Sequence, residues 1–175
     1  MSKLLNVSSS PHVRCGVSTK NLMYDVAIAM LPATIWGVMQ FGIYSLIVVV
    51  ATVLSCVLSE YLFETLMHKP VTISDGSALV TGMILGLNMP PAIPLWMPIL
   101  GGVFAIIVVK QLYGGLGQNW MNPALAARCF MLISFAQAMT KFTDPVTDAV
   151  ASATPLAAIK AGDTYDLAAM FIGKI

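Results

Sequence analysis

Charge is scarce in this sequence: only 10% of its 175 residues are Asp, Glu, Lys or Arg, where a soluble domain carries about a quarter. Such a chain cannot cover a water-facing surface, and 58% hydrophobic residues with a mean hydropathy of +0.84 point to lipid as the solvent for most of it. The formal net charge of +1 supplies no basic footprint for nucleic acid. Cysteine is sparse too. Cys15, Cys56 and Cys129 lie far apart without a CxxC spacing, which indicates neither a disulfide framework nor a metal site. The opening stretch "MSKLLNVSSSPHVRCGVSTKN" has no apolar core and no small-residue cleavage site, so it reads as a polar arm over 1–20 rather than a signal peptide.

What remains is long apolar runs. A membrane-spanning helix needs about 20 apolar residues, and the pattern predicts an all-α, multi-pass helical bundle of about five spans over 21–140. The first runs from Asn21 to Phe41 and the second from Tyr44 to Met67, with Gly42 as the break of a tight hairpin. The third, "SDGSALVTGMILGLNM", is short and glycine-rich and ends at Pro90 and Pro91. The fourth extends from Leu95 to Leu112 and the fifth from Asn122 to Met139. Lys3, Arg14 and Lys20 precede span one, Lys69 follows span two, Lys110 closes span four and Arg128 lies early in span five. The links between spans one and two and between three and four hold neither residue type. By the positive-inside rule the N-terminus is cytoplasmic, and the segment from Lys141 onward emerges on the opposite side.

Polar groups inside apolar runs are the functional candidates. Ser74 and Asp75 suit the start of a helix as cap and dipole partner. The run Thr81–Pro91 equally fits a broken helix lining a cavity. The stretch "GGLGQNWMNPALAAR" is neither a P-loop nor GxGxxG. It collects Gln118, Asn119 and Asn122 before a helix with Pro123 in its first turn, either as a plain turn and cap or as a loop whose amides read a planar heterocycle. Glu60 and Glu64 stand at i and i+4, an unfavourable like-charge pair unless a partner or the cytoplasmic interface accommodates it. With Asp25 they are candidates for ion movement.

Several motifs in order, "SSSPHVRCGVSTKNLMYDVAIAMLPA", "SDGSALVTGMILGLNMPP", "VVKQLYGGLGQNWMNPALAARCF" and "DAVASATPL", resemble those of the D subunits of Rnf electron-transport complexes. The related B subunits of sodium-pumping NADH:quinone reductases share the plan. The resemblance implies a urea-transporter-like fold of two inverted five-helix repeats, of which this chain supplies one while the second is absent. It implies FMN held by a phosphoester to Thr154, the threonine of a D-x-x-[ST]-G-A-T type motif. Asp148, Ser152 and Ala153 belong to the signature read by a dedicated flavin transferase, within an extracytoplasmic attachment segment over 141–175. Pro155 favours an extended backbone at Thr154. The usual serine-glycine is Ala151-Ser152 here, still small. A second, noncovalent riboflavin is expected near Asn119 and Asn122, with Arg128 close by. No residue is assigned as catalytic or metal-binding. The implied role is a subunit of the bacterial cell membrane, partnered by the other Rnf subunits, that relays electrons across the bilayer in an ion-pumping ferredoxin:NAD oxidoreductase. It is part of a translocase rather than an enzyme alone. The competing reading is a channel or secondary transporter of the same fold without flavin.

Overall fold

The computed structural model describes residues 16–143, 150–151 and 160. Helix α1 spans Thr19–Phe41 and α2 spans Ile43–Leu66. Ser18 caps α1 by accepting from the Asn21 amide. Pro32 sits inside α1 without ending it. Gly42 joins the two helices at φ +80 and ψ −178, backbone space that side chains exclude. Its amide donates to the Val38 carbonyl at 2.9 Å and its own carbonyl accepts from the Ser45 hydroxyl at 2.7 Å, so the expected tight hairpin forms. Both helices are long and apolar enough to cross a membrane. Helix α1 buries only Ala27 and Thr34 and presents Leu22, Ile28, Ile35, Trp36 and Met39 outward. A helix that is apolar all round needs an apolar environment.

The later elements are shorter than the expected spans. After a 3₁₀ turn over Ile73–Asp75 comes α3, Ser77–Leu87. Its 11 residues rise about 16 Å, roughly half of a bilayer core. The cap is not Ser74. Gly76 occupies the cap position at φ +77, and Asp75 Oδ1 accepts from both the amide (2.8 Å) and the hydroxyl (2.5 Å) of Ser77. Helix α4, Trp96–Val103, continues as a π-helix over Phe104–Gln111, close to the expected fourth segment. Helix α5, Pro123–Ser134, breaks at Phe135 (φ −133, ψ 49) before the single turn α6, Ala136–Met139. A minimal antiparallel pair, β1 (Phe142–Thr143) and β2 (Val150–Ala151), follows, with Phe142 opposite Ala151. The fold is thus essentially all-helical, with two helices of spanning length and three shorter apolar ones.

Helix α2 is the central post, against which α3 and α4 pack. The α2–α3 seam depends on Gly82 and Gly86: a Cβ on either would lie 2.6 Å from the Val53 Cα or 2.9 Å from the Val49 Cα. Close backbone approach through small residues spaced four apart is how helices associate where lipid removes the hydrophobic drive between them. Gly102 plays the same part for α4, since a Cβ there would meet the Ser55 hydroxyl at 2.8 Å. The Pro-rich turn after α3 is pinned by Tyr44, whose hydroxyl donates to the Ile93 carbonyl at 3.0 Å. The main apolar core gathers Val48, Leu85, Ile93, Ala105, Ala127 and Met131 between these helices.

Candidate functional site

The close α2–α3–α4 packing produces a buried polar cluster. Glu60 and Glu64 share one face of α2 by their i, i+4 spacing. They are 0% and 2% exposed, so protein groups rather than solvent accommodate them. Their partners come from the π-helix, whose residues Lys110 and Gln111 are both buried. Lys110 Nζ lies 2.5 Å from Glu60 Oε1 and 2.6 Å from Ser77 Oγ. Gln111 Nε2 donates to Glu60 Oε1 at 3.0 Å and to Glu64 Oε1 at 3.2 Å. Glu64 also accepts from the Thr72 amide (3.0 Å) and hydroxyl (2.5 Å). Glu60 Oε2 is buried without a partner among the described residues. Lys110, which closes the expected fourth span, is therefore a buried cation paired across 50 positions of sequence. A π-helical stretch is rare and often marks function, and here it carries both donors.

Adjoining the cluster is a polar cavity of about 340 Å³ lined by Glu64, Lys69, Thr72, Asp75, Gln111 and Gly115, among others. Asp25, the third acid singled out from the sequence, is exposed on α1 and takes no part. Among the described residues, no three His, Cys, Asp or Glu side chains converge to hold a metal.

The second candidate region is the glycine-rich loop. Gly114, Gly115 and Gly117 all take positive φ, which lets the chain turn sharply between the π-helix and α5. Asn122 caps α5: its Oδ1 accepts from the amides of Ala124 (3.0 Å) and Leu125 (3.4 Å), ahead of Pro123 in the first turn. Asn119 donates to the Met121 carbonyl at 3.2 Å. Both amides thus spend hydrogen bonds on the loop itself. Between the π-helix and α5 lies a mainly apolar cavity of about 470 Å³ whose lining includes Phe104, Val108, Tyr113, Trp120, Asn122 and Cys129. Phe104, in the lining, stacks on Phe130 of α5 at 4.2 Å between ring centres. The cavity's size and aromatic lining fit a planar heterocycle. Arg128 is exposed on α5 and does not line the cavity; Gln118 is exposed in the loop. Thr154, with Asp148, Ser152 and Ala153, lies outside the described residues.

Lys110 and Gln111 had a sequence signal, namely two polar residues ending the apolar run "VFAIIVV". A lone cation in such a run implies an acidic partner at similar depth, and Glu60 and Glu64 were the available acids.

A family model described as NQR2, RnfD, RnfE matches residues 6–175. The chain is 49% identical over 161 residues to the D subunit of the Na(+)-translocating ferredoxin:NAD(+) oxidoreductase complex of Acetobacterium woodii, covering 91% of this chain and 51% of that protein. It is 42% identical over 160 residues to the D subunit of the proton-translocating ferredoxin:NAD(+) oxidoreductase complex of Clostridium ljungdahlii, covering 90% and 48%. The D subunit of an ion-translocating oxidoreductase complex of Shewanella denitrificans is 40% identical over 157 residues, covering 89% and 45%. The chain therefore spans about half the length of the curated relatives it matches. On the match across nearly its whole length, the chain belongs to the NQR2, RnfD, RnfE family, on the RnfD side of it.

Proposed function

We propose that this protein is a membrane flavoprotein subunit that relays electrons across the bilayer in an ion-translocating ferredoxin:NAD oxidoreductase complex. The names of the relatives support the complex, and the aromatic-lined cavity beside the glycine-rich loop is the observation that carries the flavin. In this reading Tyr113 and Trp120 wall a noncovalent riboflavin, Asn119 supports the adjoining loop, and the Asn122 Nδ2, which the cap leaves free, addresses the flavin's polar edge. Asn122 does so while holding the first turn of α5, so the cap and the cavity wall are positioned together. FMN is joined through a phosphoester to the hydroxyl of Thr154, within the signature containing Asp148, Ser152 and Ala153. Bound flavin supplies the redox chemistry, and the chain supplies position, a dry apolar wall and fixed dipoles.

The reading extends to the assembly. The apolar segments cross the membrane about five times as one repeat of a urea-transporter-like fold, with a cytoplasmic N-terminus and Thr154 on the other side. The remaining Rnf subunits are its partners, and a flavin transferase acts on Thr154 during maturation. Replacing Thr154 with alanine is expected to abolish the covalent flavin fluorescence of the subunit on a denaturing gel; a fluorescent band that persists would refute the attachment.

A channel or secondary transporter without flavin is the second reading, favoured by the short, glycine-rich α3, since interrupted helices line transport sites. A flavin spectrum retained by denatured, washed protein excludes it.

A further inference from the structure

Helix α1 carries one carboxylate on a face that no other described element covers. Ala27 and Thr34, its two buried residues, mark the side that meets the rest of the fold. At about 100° per residue, Asp25 projects roughly 160° away from Ala27. Leu22, Ala29, Pro32, Trp36 and Met39 are exposed with it, at spacings of three and four that set them in one outward row. Asp25 stands six residues, about 9 Å, along the helix from Thr19. The 23 residues of α1 reach about 34 Å against a hydrocarbon core of about 30 Å, so that position falls inside the apolar layer. Aspartate lacks the long stem with which Lys and Arg reach back to water. Acids at such depth pair with cations or face a polar interior. Among the described residues the one ion pair is Lys110 with Glu60, and Lys20, on the same helix as Asp25, lies over the Tyr24 ring at 5.9 Å. One turn further on, Pro32 has no N–H to give the Ile28 carbonyl, which leaves a second acceptor beside an exposed side chain.

We infer that this outward row of α1 is the docking surface for a membrane-spanning helix of another subunit, one that carries a lysine or arginine level with Asp25. Charge complementarity selects the occupant. Lipid tails offer no donor to a carboxylate, and a purely apolar helix would seal Asp25 from water without pairing it. A cationic helix pairs the acid and brings N–H groups within reach of the Ile28 carbonyl. Ala29, one turn from Asp25 in the same row, keeps the surface low, so a partner backbone can approach closely. The single acid then acts as one polar residue does in a coiled-coil seam: it fixes which helix docks and at what height. The inference rests on the reading of this chain as one subunit of a membrane complex.

The test uses membranes holding the whole complex with the full-length subunit, in which a photoreactive benzophenone amino acid replaces Leu22, 54% exposed and one turn from Asp25 in the row. After irradiation we expect an adduct with a second subunit, whose linked peptide belongs to an apolar span containing Lys or Arg. Asp25→Asn is expected to lower the adduct yield about tenfold, the worth of one interhelical polar contact, and Asp25→Lys to abolish it. Changing the mapped cation to Asp in the Asp25→Lys background should restore the adduct. Recovery by charge exchange is the signature, because a merely structural role for Asp25 would not be rescued from another polypeptide. If Asp25→Lys fails to insert, the yield from Asp25→Asn decides. Adducts confined to lipid or to the subunit's own polypeptide, a linked span without a cation, or a yield indifferent to the Asp25 variants would each overturn the docking. A wild-type subunit that co-purifies with no other subunit would refute the complex reading, and the docking with it.

Discussion

Gly82→Ala places one methyl group where α2 and α3 touch. Its carbon would stand 2.6 Å from the Val53 Cα and 3.1 Å from both the Val53 nitrogen and Cγ2. Two of these atoms are backbone and no rotamer change removes them. Restoring ordinary carbon contact at about 3.5 Å requires the helices to part by roughly 1 Å. Overpacking of this kind costs about 1–3 kcal/mol. The displacement would also reach Ser77, at the start of the same short helix, and stretch its 2.6 Å contact with Lys110. Gly37→Ala is the matched control: nothing lies within 4 Å of a Cβ there, and alanine favours the helix by up to about 1 kcal/mol. Thermal unfolding in nanodiscs, followed through exposure of the Cys56 thiol that is buried in the fold, is expected to show Gly82→Ala several degrees below wild type and Gly37→Ala at or above it. Equal melting temperatures for the two variants would refute the close-approach argument.

Two further outcomes follow from the loop and the cysteines. Asn122→Ala removes the cap of α5 and should cost about 1 kcal/mol, visible as a lower melting temperature, while loosening the cavity wall and lowering bound riboflavin per subunit. In a Cys15→Ser background, a maleimide should label exposed Cys129 rapidly and buried Cys56 only after unfolding. Excess riboflavin should slow the Cys129 reaction, because that thiol lines the aromatic cavity; unchanged labelling would refute flavin binding there.

Composition alone determined the solvent and the element type. Scarce charge and unbroken apolar runs dictate helices in lipid, and Gly42 and the Pro90–Pro91 pair mark breaks through local backbone sterics that need no distant partner. The i, i+4 spacing likewise put Glu60 and Glu64 on one face. Thr154 remains legible only as a motif, since it stands outside the described residues. Tertiary packing decided the rest. Ser74 suited a cap by residue type, but the αL turn at Gly76 handed that task to Asp75. The helix of the expected fifth segment breaks at Phe135, and α3 is shorter than the run expected for it. The sequence placed Lys110 at the end of span four and named no partner for it. Its pairing with Glu60 depends on how closely α4 approaches α2, and that distance is set by Gly102 against Ser55. Local propensity follows nearest neighbours along the chain, whereas a buried charge finds its partner through helix crossings that side-chain volumes dictate.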